Sequence, residues 1–205
     1  LTPQAPVTSA NAKYFVVALG GTGVQIVDQF KRSEYNGIPS LFSEGGYHYA
    51  LIDTSGDLEA SNPGYSHTAD GDQKWLHAER HIRLAYLNEG AQKIPPIAEF
   101  VGEHSLQRYI NRDSDVYPFY KDLHDSSITF LVHSASGGTG GGLGPYVAKW
   151  LEDNGNLGNT RISMVSLGLI TGAEEADYLF GNALYNFPNI NENTEMVVLI
   201  DNEMI

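Results

Sequence analysis

The chain has 205 residues, 41% of them hydrophobic and 18% charged, a balance that supports one domain with an apolar core and excludes a disordered polymer. Twelve basic residues against 25 acidic ones leave a net charge of −13, which repels a phosphate polymer and argues against direct nucleic-acid binding, and the longest apolar run, Tyr14 to Leu19, falls far short of the ~20 residues that cross a bilayer. The absence of cysteine rules out disulfides, thiol catalysis and Cys-ligated metals and suits a cytoplasmic setting.

Residues 1–13, with Pro3, Pro6, Thr8 and Ser9 and no apolar periodicity, read as a flexible tail or an arm that docks on a partner. The sequence does not open on Met and stops abruptly at Ile205, as a piece of a longer protein would. Tyr14 to Leu19 reads as a strand, followed by a glycine turn and an amphipathic stretch with Ile26, Val27 and Phe30 on one helical face, the start of a β-α unit. Tyr47 to Ile52 is a second strand closing at Asp53, and Gly56 to Asp72 reads as loop. Helix patterns follow at Trp75 to Leu87 and Ile97 to Ile110. Ser127 to Val132 is a buried-strand pattern, Ser134 to Gly144 a glycine-dense turn, and Pro145 to Leu151 a helix on which Leu143, Val147 and Leu151 fall four apart. Ile162 to Leu169 and Met196 to Ile200 are continuous apolar runs, as expected of central strands covered on both faces. Alternating strands and helices predict a three-layer α/β domain over 14–205, with a mostly parallel sheet and helices on both faces.

Two glycine turns carry the chemistry. In the first, Gly20, Gly21, Thr22 and Gly23 lie between a strand and a helix, where backbone amides at a helix start point at bound anions. A tight connection without a ligand uses the same residues. The dinucleotide fingerprint fails, because its third glycine position is Ile26, and no Lys-Ser or Lys-Thr follows at the phosphate-loop spacing. A nicotinamide-dependent oxidoreductase is disfavoured on that ground. In the second turn, Gly137 to Gly144 holds six glycines, one threonine and Leu143. Turning a chain takes one or two glycines, and each loses more backbone entropy on ordering than any other residue. The excess predicts a ligand pressed against backbone: a polyphosphate cradled by amides and a threonine hydroxyl, with a Cβ at Gly138 or Gly140 intruding on phosphate space.

The strand followed by GGTGVQI, the later SGGTGGGLG and the closing Ile200, Asp201, Asn202, Glu203 resemble the nucleotide-binding half of the tubulin/FtsZ superfamily, including its bacterial, phage and plasmid branches. The first turn is similar to tubulin's GQCGNQI and the second to the family signature GGGTG(S/T)G, with Ser136 in place of its first glycine and Gly141 in place of its hydroxyl residue. The resemblance implies that Gly20, Gly21, Thr22 and Gln25 line the phosphate and base side of a GTP or GDP site. It implies that Ser136, Gly137, Gly138, Thr139, Gly140 and Gly141 grip the phosphates. Asn202 would hydrogen-bond guanine, Glu175 (or Glu174) would contact the ribose, and Asp53 would face the nucleotide and Mg2+, although a structural turn explains Asp53 almost as well. Asn88, Glu89, Gly90 and Ala91 are the candidate loop for sensing the terminal phosphate.

In that family the acid that activates water lies beyond the central helix and works on the neighbouring subunit's nucleotide. The sequence ends before that loop, so no catalytic residue is expected here. The resemblance therefore implies a domain that binds GTP but hydrolyses it poorly alone, within a protein that stacks head to tail into filaments as a cytoskeletal GTPase. The alternative is a nucleotide-bound scaffold or sensor of the same fold without turnover.

Other constellations carry less. His77 and His81 stand four apart on the predicted helix without a third metal ligand, and Ser134 and Ser136 lack the Gly-x-Ser-x-Gly elbow. Tyr178, Phe180, Tyr185 and Phe187 read as core and helix packing.

Overall fold

A computed structural model describes residues 14–35, 47–54, 81–84, 90–110, 119–154, 160–167 and 175–201. The 1–13 tail, most of the Trp75 to Leu87 segment, His77, Asn88, Glu89, Glu174 and Asn202 lie outside them.

Among the described residues six strands form one parallel sheet: β1 (Tyr14–Leu19), β2 (Tyr47–Asp53), β3 (His81–Arg83), β4 (Ile128–Ser134), β5 (Thr160–Leu167) and β6 (Met196–Asp201), in the order β3-β2-β1-β4-β5-β6. The chain adds strands to one side of β1, then returns to its other side with β4. Alternation along β1 sorts its side chains between two cores. Val16 and Ala18 pack with Val24 and Val27 of α1 (Gly20–Tyr35). Phe15, Val17 and Leu19 face the opposite layer, built from α2 (Pro95–Val101), a π-helical turn (Gly102–Leu106), α3 (Gln107–Ile110), α4 (Phe119–His124) and α5 (Gly138–Asn154). Edge-to-face contacts of Phe119 with Phe15 (4.9 Å) and Trp150 (5.9 Å) knit that layer together. A last helix, α6 (Glu175–Glu192), touches Ala135 and Val197 through Ile190 and Ala183. The expected three-layer α/β architecture is the one observed, and Leu143, Val147 and Leu151 are all fully buried.

Three local expectations change. Both glycine turns are the opening turns of helices: α1 begins at Gly20 and α5 at Gly138, ahead of the expected Pro145. His81 to Arg83 is not helical; it forms the short strand β3, its residues paired with Leu51, Ile52 and Asp53, so His81 cannot share a helical metal-binding face with His77. Tyr185 is exposed rather than packed in a core. No helix among the described residues is long and apolar enough to cross a membrane.

Candidate functional site at the switch between β1 and β4

The sheet register sets the site. Leu19 at the end of β1 pairs with Ile52 of β2 on one side and His133 of β4 on the other, so Gly20, Asp53 and Ser134 stand level with one another at the sheet's carboxyl edge. β1 and β4 are also where the strand order reverses, the place at which open α/β sheets bind ligands. Each strand runs into a long helix, α1 of 16 residues and α5 of 17, and neither helix carries an acidic residue in its first turn. Two positive dipole ends therefore converge with no carboxylate in either helix's first turn, which favours an anion, although the buried Asp53 stands at the same edge of the sheet.

The turns touch each other. Gly20 adopts φ +70°, and a Cβ there would lie 2.9 Å from the Gly140 nitrogen and 3.1 Å from Thr139 Cβ, so only glycine fits. The second motif's glycine density has a different origin from the one its sequence suggests. A Cβ at Gly138 would meet the Lys93 and Ile94 backbone at 2.7–2.9 Å, and one at Gly140 the Ser134 and Leu19 backbone at 2.9–3.1 Å. Gly141 faces the Asn186 amide at 2.6 Å, Gly142 the Pro95 carbonyl, and Gly144 the His133 ring at 2.5–3.0 Å. These glycines let α5 sink against its neighbours; their side-chain positions point at protein, not at phosphate. Two glycines of the motifs differ: among the described residues, a Cβ at Gly21 would have nothing within 4 Å, and one at Gly137 would meet only Ser134 at 3.6–3.7 Å. Those two leave room for a ligand at the backbone.

Polar contacts tie further segments to the motif. Thr54, fully buried just past β2, is 2.6 Å from the Thr139 hydroxyl and accepts a hydrogen bond from the Ala91 amide at 3.1 Å. Gly90 and Ala91, the expected phosphate-sensing candidates, are thereby brought to the second glycine turn. Beyond them Gln92 and Lys93 both hold positive φ, 47° and 60°. The Nδ2 of Asn182 on α6 donates to the Lys93 carbonyl (2.8 Å) and the Ser136 carbonyl (3.0 Å), and one turn on the Asn186 Nδ2 donates to the Ala135 carbonyl (3.0 Å). Ser136 is itself buried, its hydroxyl 3.1 Å from that of Ser134, which accepts from the Gly137 amide at 3.3 Å.

Of the remaining expected residues, Thr22 is half-buried and Gln25 exposed on the first turns of α1, and Asp53 is buried at the end of β2. Glu175 opens α6, and Asn202 lies outside the described residues. The sequence reading passed over Asn182 and Asn186. Their signal was present: 182, 186 and 190 share one face of α6, and Ile190 is fully buried, so two amides occupy a stripe where apolar residues are the rule.

Beneath the motif, the His133 ring is wholly buried with neither nitrogen hydrogen-bonded among the described residues. Burial holds its pKa down to about 4, against smaller opposing effects of the Ser134 and Gly140 backbone, so the ring is neutral. No cluster of three or more metal-ligating side chains occurs among the described residues.

Residues 113–205 match the family model described as "Tubulin/FtsZ family, GTPase domain". No curated protein sequence matches the chain. Among solved structures, CetZ from Methanosaeta thermophila superposes with a TM-score of 0.68 at 16% identity over 94% of this chain and 46% of its own. CetZ1 from Haloferax volcanii gives 0.66 at 15% identity, covering 93% and 51%. Clostridium botulinum phage c-st TubZ gives 0.61 at 22% identity, covering 95% and 55%. The chain spans about half the length of these proteins. It has the fold of the tubulin/FtsZ superfamily, and its second half carries that family's GTPase-domain sequence pattern.

Proposed function

We propose that this domain binds a guanine nucleotide at the carboxyl ends of β1 and β4, and that the protein containing it assembles head to tail into cytoplasmic filaments that hydrolyse GTP at subunit contacts. One observation carries the reading: two long helices with no acidic residue in their first turns meet at the switch point, with open backbone at Gly21 and Gly137. That arrangement neutralises a polyphosphate through backbone amides. Gly20, Gly21, Thr22, Gly137 and Thr139 hold the phosphates. Gln25, Glu175 and Asn202 serve the base and ribose, and Mg2+ accompanies the terminal phosphates near Asp53. The solved structures lend support for the ligand and the assembly: CetZ1 is described as GDP-bound, and CetZ2 from Haloferax volcanii as a GTPγS-bound protofilament. A GTPγS-form protofilament is also described for TubZ of Bacillus thuringiensis.

Calorimetric titration with GTP, GDP, ATP and NAD tests the binding. GTP and GDP should bind more tightly than the other two; equal or absent binding of all four refutes the assignment. Light scattering of the full-length protein tests assembly: it should rise with GTP and stay flat without it.

A further inference from the structure

The segment from Gly90 to Lys93 is held in an unfavourable conformation at the site. Gly90 sits at φ 66°, and Gln92 and Lys93 follow at 47° and 60°. Two successive non-glycine residues in the left-handed region persist only where their surroundings over-determine them. Their surroundings are the motif. The Lys93 nitrogen and Cα lie 2.7–2.8 Å from where a Gly138 side chain would begin, and Ala91 donates to Thr54, which touches Thr139. On the outer side, beside the Ile94 amide's bond to the Ala91 carbonyl, the Asn182 Nδ2 places its two N–H groups on the carbonyls of Lys93 and Ser136, residues 89 and 46 positions away in the sequence. Both partners are acceptors, so only the amide nitrogen fits there.

We infer that Asn182 is a positioning residue for the nucleotide site, clamping the left-handed Gln92–Lys93 pair against the Ser136–Gly138 turn so that backbone of both segments faces the phosphates together. The inference rests on the proposed nucleotide binding. Asn182 itself touches no phosphate; it acts through the two carbonyls. Its removal frees the strained pair to relax, and affinity falls because the ligand must then re-order it.

The test is a double-mutant cycle on the full-length protein, read as GTP affinity, with hydrogen exchange of residues 90–94 measured without nucleotide. Asn182→Ala should weaken GTP about tenfold, the loss of two hydrogen bonds of ordinary strength, and should speed exchange in 90–94. Asn182→Asp should weaken it further, since a carboxylate faces two carbonyls. Glycine occupies left-handed space without strain, so Asn182→Ala should cost much less in a Lys93→Gly background than in the wild type; comparison with Lys93→Gly alone removes any contribution of the lysine charge. Affinity unchanged by Asn182→Ala, or the same loss in both backgrounds, overturns the inference. Wild-type protein that binds no nucleotide would instead overturn the proposed function. In that case faster exchange of 90–94 in Asn182→Ala would still support the clamp, and unchanged exchange would remove it too.

Discussion

Gly21→Ala separates folding from binding at this site. Beyond its own helix backbone, the added methyl meets no heavy atom of the described residues within 4 Å, and position 21 lies inside α1 without positive φ. Alanine in a helix is favoured over glycine by about 0.5–1 kcal/mol, with the first turn at the lower end. For a domain of this size, that raises the melting temperature by about 1–4 °C. The same methyl fills the open space at the backbone where a phosphate approaches. A ligand pushed back from the amides loses one or two charge-assisted hydrogen bonds, about 1.5–3 kcal/mol each, so affinity should fall at least tenfold. Gly140→Ala provides the contrast, because its Cβ would press on three backbone atoms at 2.9–3.1 Å and should cost about 1–3 kcal/mol of stability. Thermal melts and calorimetric GTP titration of both variants give the comparison. A Gly21→Ala protein that melts higher and binds GTP as tightly as wild type would refute the placement of the phosphates.

Thr54→Val strands the buried Ala91 amide and removes the contact with Thr139, so urea denaturation should show a loss of about 1–3 kcal/mol, while Thr54→Ser retains most of it. For His133, the folded pKa of about 4 lies below the ordinary 6.5. The unfolded chain therefore binds the extra proton first, and stability is full above pH 6.5 and lost as pH falls toward 4. Between pH 7 and pH 5 that loss is about 2 kcal/mol, and urea melts at the two pH values should show it in the wild type but not in His133→Leu. Gly141→Ser places a side chain against the Asn186 amide and should destabilise. Adding Asn186→Ala should recover part of that loss in a chemical-denaturation cycle, and a purely additive pair would show that Asn186 is not what keeps position 141 small.

Strand β1 and the strand-glycine-helix units were legible because each is written locally, as a continuous apolar run, a glycine turn and an amphipathic stretch. The helix starts were not. Glycine has low helix propensity, so Gly138 to Gly144 reads as loop, and only packing against Pro95, Asn186 and His133 reveals why a helix tolerates it. The glycine count pointed to a single region through an incomplete cause: much of it serves close approach of α5 to protein, and within the two motifs only Gly21 and Gly137 keep open backbone among the described residues. β3 was hidden because three residues, His81 to Arg83, are strand only by pairing with β2, a non-local fact that overrides the helical pattern around them. Thr54 and Asn182 were hidden for the same reason: their partners lie 37 to 89 residues away.

On the proposed function, the opening turns of α1 and α5 jointly hold a nucleotide's phosphates. A crystal structure of the protein with a non-hydrolysable GTP analogue tests it most directly. Phosphate oxygens should lie within hydrogen-bonding distance of backbone amides in both turns, beside Gly21 and Gly137. Phosphates bound elsewhere, or contacting one turn alone, would contradict it.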